Sequence, residues 1–113
     1  MHEMSLCENI REILEDQAKQ NGFSRVSRVW LEVGPLSCVE PDALLFGFDV
    51  VMRGSVADGA SVEIVTPAAK ALCLTCQQTA EIRQRYDPCP HCGAGPMELI
   101  HGDALKISKL EVI

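Results

Sequence analysis

Four of the six cysteines in this 113-residue chain fall into two C-x₂-C pairs, Cys73 with Cys76 and Cys89 with Cys92. Each short turn aims two sulfurs at one point. Four thiolates at one point are a ligand set that Zn²⁺ accepts tetrahedrally. All four positions are then filled by sulfur, with no vacancy for water or substrate, so the centre is expected to be structural rather than catalytic. The competing readings are two disulfides or four free thiols. Nothing else in the chain suggests the oxidising compartment that disulfides need. Cys7 and Cys38 stand outside the pattern and are expected to be small packing residues. His91 lies between Cys89 and Cys92, and His101 follows the last of the four. Both read as surface residues, with a supporting or alternative-ligand role for His91 as the competing reading.

A second constellation opens the chain: Met1, His2 and Glu3. A bulky second residue keeps the initiator Met in place. If its amine is free, that amine and the His2 amide nitrogen close a five-membered chelate on one ion, and the His2 Nδ1 closes a six-membered ring. Glu3 supplies a fourth donor through its amide nitrogen or its carboxylate. Planar nitrogen and oxygen donors favour Ni²⁺ or Cu²⁺ over Zn²⁺. The bland reading of the same three residues is a frayed terminus without function.

The elements that must position these groups are legible in outline. Ser5-Leu6-Cys7-Glu8 has the Ser-x-x-Glu form of a capping box, which predicts a helix from Ser5 to about Gln20, ending before Gly22. Leu6, Ile10, Ile13, Leu14 and Ala18 recur at helical spacing as its buried stripe. Arg25 to Val33 alternates as a strand, with Val29, Leu31 and Val33 on one face, until Gly34-Pro35 breaks it. A second helix is expected from about Glu40-Pro41-Asp42, where proline is tolerated in the first turn. Its apolar face is Leu44, Leu45, Phe48, Val51 and Met52, and Gly54 ends it. Ser61 to Thr66 and Leu105 to Ile113 read as further strands, the last with a phase slip between Ile107 and Leu110. Residues 67–103 hold few large apolar side chains around the four cysteines and are expected to fold only with metal. The expected fold is α+β. A small mixed sheet with two helices (1–66 and 104–113) forms the first lobe, and a four-cysteine zinc-ribbon lobe (67–103) is inserted between two of its strands.

Composition narrows the function. The chain is 47% hydrophobic and 23% charged, as globular domains are, and its net charge of −6 repels phosphate backbones, so nucleic acid is not an expected partner. No apolar run approaches the roughly 18 residues of a membrane span, and the opening lacks a signal peptide's basic and apolar regions. A cytoplasmic location is therefore expected, with no membrane partner. There is no Ser/His/Asp set, glycine-rich phosphate loop or open metal position, so an enzyme is not expected.

The whole pattern resembles the HypA/HybF family of nickel-insertion factors for [NiFe]-hydrogenase maturation. The resemblance rests on Met1-His2-Glu3-Met4-Ser5-Leu6-Cys7, Val29-Trp30-Leu31-Glu32-Val33-Gly34, Leu36-Ser37-Cys38-Val39-Glu40, Phe46-x-Phe48-Asp49, Gly54-Ser55-Val56-Ala57-x-Gly59, the cysteine pairs and the terminal strand. It covers nearly the whole chain. It implies a metallochaperone rather than an enzyme, with Ni²⁺ as cargo at Met1, His2 and Glu3, and structural Zn²⁺ at Cys73, Cys76, Cys89 and Cys92. It implies as partners a nickel-handling GTPase of the same pathway and the hydrogenase large-subunit precursor, with urease maturation proteins in some members. Either a monomer or a homodimer is compatible with it. One departure is that residues 77–88 contain no His, where some relatives carry histidines near the zinc knuckles. Glu40, opening the second helix, is a candidate supporting carboxylate for the nickel site. Competing readings are a zinc-ribbon nucleic-acid-binding module and a protein-interaction adaptor without cargo.

Overall fold

The computed structural model describes residues 3–113. Two helices, α1 (Glu3–Asn21) and α2 (Pro41–Val51), accompany six strands: β1 (Val26–Val33), β2 (Ser61–Val65), β3 (Ala69–Leu72), β4 (Thr79–Ile82), β5 (Glu98–His101) and β6 (Leu105–Val112). They make two three-stranded sheets, ordered β2-β1-β6 and β4-β3-β5. The fold is thus α+β, as the patterning implied.

By its contacts the chain divides into two units. The first comprises the chain up to Leu31, Val39–Val65 and Lys106–Ile113; the second comprises Glu32–Cys38 and Thr66–Leu105. In the first unit α1 packs on α2. The helices bury Cys7, Ile10, Leu14 and Ala18 from α1 and Leu44, Gly47 and Phe48 from α2. Val26, Val29 and Leu31 of β1 are fully buried. These side chains form the core of this unit.

Several sequence expectations need correction here. Helix α1 begins at Glu3, so Ser5 lies inside it and is not its cap. Ahead of Ser5, the Glu3 carboxylate joins this first turn to α2 by accepting a hydrogen bond from the Glu40 backbone N–H at 3.2 Å. Ile13 is 48% exposed, and Cys7, fully buried, takes a place in the stripe that periodicity had given to larger residues. Leu45 faces outward, while Gly47 faces inward: a Cβ there would sit 3.1 Å from the Met4 Sδ and 3.3 Å from the Cys7 Sγ, so glycine permits the close approach of the helices. Cys38 is not a packing residue. It is exposed, in the left-handed region at φ 61.

The carboxyl end of α2 is tied to α1 by polar contacts. Arg11 donates to the Val51 carbonyl at 2.7 Å, and Glu15 accepts from the Val56 N–H at 3.0 Å. At its amino end, the Glu40 side chain caps the helix by accepting from the Asp42 N–H at 2.9 Å, with Pro41 in the first turn.

The second unit has its own small core: Ala69, Ala71, Cys73, Ile82, Cys89 and Met97, with Leu36 packed against it. Strands β4 and β5 both pair antiparallel with β3, with Ala71 opposite Ala80 on one side and Leu99 on the other. These three strands of four residues each were not apparent in the sequence. Gly34 matters to this unit because a Cβ on it would collide with the Gly102 backbone, and a Cβ on Gly102 would collide with Ala69. The close approach lets Gly34 N–H donate to the Ala104 carbonyl and Leu36 N–H donate to the Gly102 carbonyl.

Candidate metal centre

The two cysteine pairs sit on two turns of the same construction. In the first, Gln77 N–H donates to the Cys73 carbonyl at 2.8 Å and Cys73 N–H donates to the Gln78 carbonyl at 2.9 Å. In the second, Gly93 N–H donates to the Cys89 carbonyl at 2.7 Å and Cys89 N–H donates to the Ala94 carbonyl at 2.7 Å. The fourth residue after each leading cysteine is left-handed: Gln77 at φ 60 and Gly93 at φ 77. Backbone N–H groups also point at sulfur, from Cys76 to the Cys73 Sγ and from His91 to the Cys89 Sγ, each at 3.4 Å. Such bonds spread the charge of a bound thiolate.

The four sulfurs meet. Cys73 and Cys92 Sγ are 3.5 Å apart, Cys76 and Cys89 Sγ are 3.7 Å apart, and all four lie within 4.8 Å of one another. Zinc–thiolate bonds of about 2.3 Å in a tetrahedron place sulfurs about 3.8 Å apart. The donor set and its spacing therefore fit Zn²⁺. Without metal, Cys73 and Cys76 hold their protons unequally. Hydrogen bonds from the Cys76 and Thr75 backbone, opposed by burial, bring the Cys73 thiol down to about 6. Cys76 has a lowering bond from Gln78, but burial and the Cys73, Cys89 and Cys92 thiols push it up to about 12. One sulfur thus ionises readily and a neighbour holds its proton, so metal binding must release protons and is favoured by rising pH.

The remaining candidates fall elsewhere. His91 and His101 are both exposed. Met1 and His2 lie outside the described residues. Glu3, the third member of that triplet, occupies the first turn of α1 with its carboxylate at the amino end of α2, where Glu40 begins that helix. The proximity of Glu3 and Glu40, suspected from the helix pattern, is a contact between a side chain and a backbone N–H. Among the described residues no other group of His, Cys, Asp and Glu gathers as a metal site.

A two-helix α+β fold and a closed four-sulfur centre define a small zinc-binding protein with no opening at its metal. The family model described as "Hydrogenase/urease nickel incorporation, metallochaperone, hypA" matches residues 1–112, and the chain belongs to this HypA family of nickel metallochaperones for hydrogenase maturation. The hydrogenase maturation factor HypA of Alkalilimnicola ehrlichii is 54% identical over 112 residues, covering 99% of each chain. That of Paracoccus denitrificans is 51% identical over 113 residues, covering 100% of each. Among solved structures, the solution structure of the Ni metallochaperone HypA from Helicobacter pylori has the same fold. Its TM-score is 0.79 at 23% identity, covering 100% of this chain and 98% of that one. The family binds nickel and a structural zinc, and the cysteine quartet fits the zinc. No helix among the described residues is long and apolar enough to cross a membrane.

Proposed function

We propose that this protein carries Ni²⁺ on Met1, His2 and Glu3 and delivers it for insertion into the [NiFe]-hydrogenase large-subunit precursor. It hands the metal on with a nickel-handling GTPase of the same pathway, in the cytoplasm, and catalyses no reaction itself. Urease maturation proteins are a second client set within the family's printed description. Zinc at Cys73, Cys76, Cys89 and Cys92 holds the inserted lobe (67–103) in shape, and the remainder (1–66 and 104–113) bears the nickel.

The observation that carries this reading is the family match, which begins at the first residue and so includes the Met-His-Glu triplet. Two physical points support it. The quartet has no free position for an exchangeable cargo. A chelate of amine, amide and imidazole nitrogens exchanges metal and loses it in acid, because each donor must give up a proton to bind. Those are the properties a carrier needs. The test is hydrogenase activity in cells lacking the native protein. The wild-type chain restores activity at low nickel, and His2→Ala restores it only when nickel is supplied in excess. Full restoration by His2→Ala at low nickel would sink the proposal.

A further inference from the structure

Helix α2 buries one side against α1 and leaves a second apolar feature in water. Phe46 is 71% exposed and Leu45 39% exposed. A lone exposed apolar side chain is ordinary. These two, however, are adjacent and framed by carboxylates at helical spacing. Asp42, Leu45, Phe46 and Asp49 fall at i, i+3, i+4 and i+7, so they form one stripe along the helix, and all four are exposed. Asp49 pairs with Arg53 at 3.7 Å, the two side chains being 75% and 70% exposed. Such surface pairs contribute little and are readily exchanged. Glu40, also exposed, adds a third carboxylate at the helix start. Folding does not account for Phe46, because the helix's contribution to the core is Leu44, Gly47 and Phe48 on its other side.

We infer that the Asp42–Leu45–Phe46–Asp49 stripe of α2 is a docking surface for a basic amphipathic segment of a partner protein, one that presents an apolar side chain between Lys or Arg residues about one helical turn to either side. Charge selects that occupant. The stripe and its surroundings are acidic and the chain carries a net charge of −6, so an acidic partner or a second copy of the same surface is repelled. Aromatic side chains, Phe among them, are enriched at protein–protein interfaces, whose rims are polar. The surface adds to the nickel reading and does not depend on it.

The test uses zinc-loaded, nickel-free protein, labelled for NMR and titrated with an 18-residue Lys/Leu amphipathic helical peptide. Its Glu/Leu counterpart is the control. Expected are shift changes concentrated at Asp42–Asp49, affinity that falls as salt rises, and no binding of the Glu/Leu peptide. Phe46→Ala should weaken binding roughly tenfold or more. Phe46→Leu should fall between it and the wild type, and Asp42→Asn should reduce both affinity and salt dependence. Phe46 is exposed, so zinc content and spectral dispersion of the variants should match the parent. The proposal is overturned if the changes map to the acidic face of α1 at Glu8, Glu12 and Asp16, or if Phe46→Ala binds as the parent does. Equal binding of the Glu/Leu peptide would also overturn it. So would self-association of the free protein that Phe46→Ala abolishes, since a second copy would then be the occupant.

Discussion

The two cysteine turns share one backbone shape but carry different residues at the left-handed position, and this makes their energetics testable in opposite directions. Gly93 sits at φ 77 with nothing within 4 Å of where a Cβ would be, so Gly93→Ala meets no steric obstacle except the backbone conformation itself. A left-handed conformation costs an L-residue roughly 1–2 kcal/mol. Replacing glycine returns roughly 0.4–1 kcal/mol by restricting the unfolded chain. The net expectation is a loss of about 0.5–1 kcal/mol. Gln77 occupies the equivalent position at φ 60, so Gln77→Gly should gain a similar amount. Because the lobe is expected to fold with its metal, the difference appears in zinc affinity. It amounts to a roughly two- to fivefold weakening for Gly93→Ala and a comparable tightening for Gln77→Gly, read by competition with a chromophoric chelator. If Gln77→Gly weakens zinc as much as Gly93→Ala does, the turns are not energetically equivalent and the reasoning fails.

Three further outcomes follow from other contacts. Burial, then the charges of Glu3 and Glu8, push the Cys7 thiol up to about 11 from an ordinary value near 9. The folded state therefore holds a proton that the unfolded chain releases, so stability is full below about pH 9 and falls as pH rises toward about 11. Cys7→Ala should flatten that alkaline limb in denaturant titrations between about pH 8 and 11, and an unchanged limb would remove Cys7 as its source. Glu3→Ala should cost about 1 kcal/mol, because it removes both the hydrogen bond to Glu40 N–H and a carboxylate at two helix starts. Glu3→Gln, which keeps an acceptor, should cost about half as much, and equal losses would rule out the charge contribution. Gly34→Ala should destabilise the second unit by more than about 2 kcal/mol, since its Cβ meets Gly102 backbone that cannot swing away as a side chain can. Hydrogen exchange at Leu36, whose N–H is held by Gly102, reports this locally.

Local chemistry was readable in the sequence where it is set by near neighbours. The cysteine pairs declare a four-sulfur centre because each pair spans one turn, and the structure brings all four sulfurs together. Pro41 marks the start of α2 for the same reason, with Glu40 as the capping residue. What was not readable depends on contacts distant in sequence. Helix α1 already includes Glu3, whose carboxylate meets the Glu40 N–H far along the chain, and the local Ser5-x-x-Glu8 pattern carries no sign of that contact. Strands β3, β4 and β5 are four residues each, and β3 and β4 are built largely from Ala, Lys, Thr and Glu, so length does not distinguish any of the three from loop and propensity does not distinguish the first two. Leu45 and Ile13 fit an apolar period yet face outward, because a helix buried on one side needs only part of its hydrophobic positions. Cys38 looked like packing by residue type alone, but its left-handed turn carries it outward.

The central claim is that nickel is held at the amino terminus and not at the cysteines. Its most direct measurement is a nickel titration of zinc-loaded protein with an unmodified Met1, followed by absorption in the visible range. The expected result is about one Ni²⁺ per chain with a planar d–d band. Binding should be lost in His2→Ala and weakened when residues are added before Met1, with zinc retained throughout. Unchanged nickel binding in both of these proteins would contradict the account, as would release of zinc in proportion to the nickel bound.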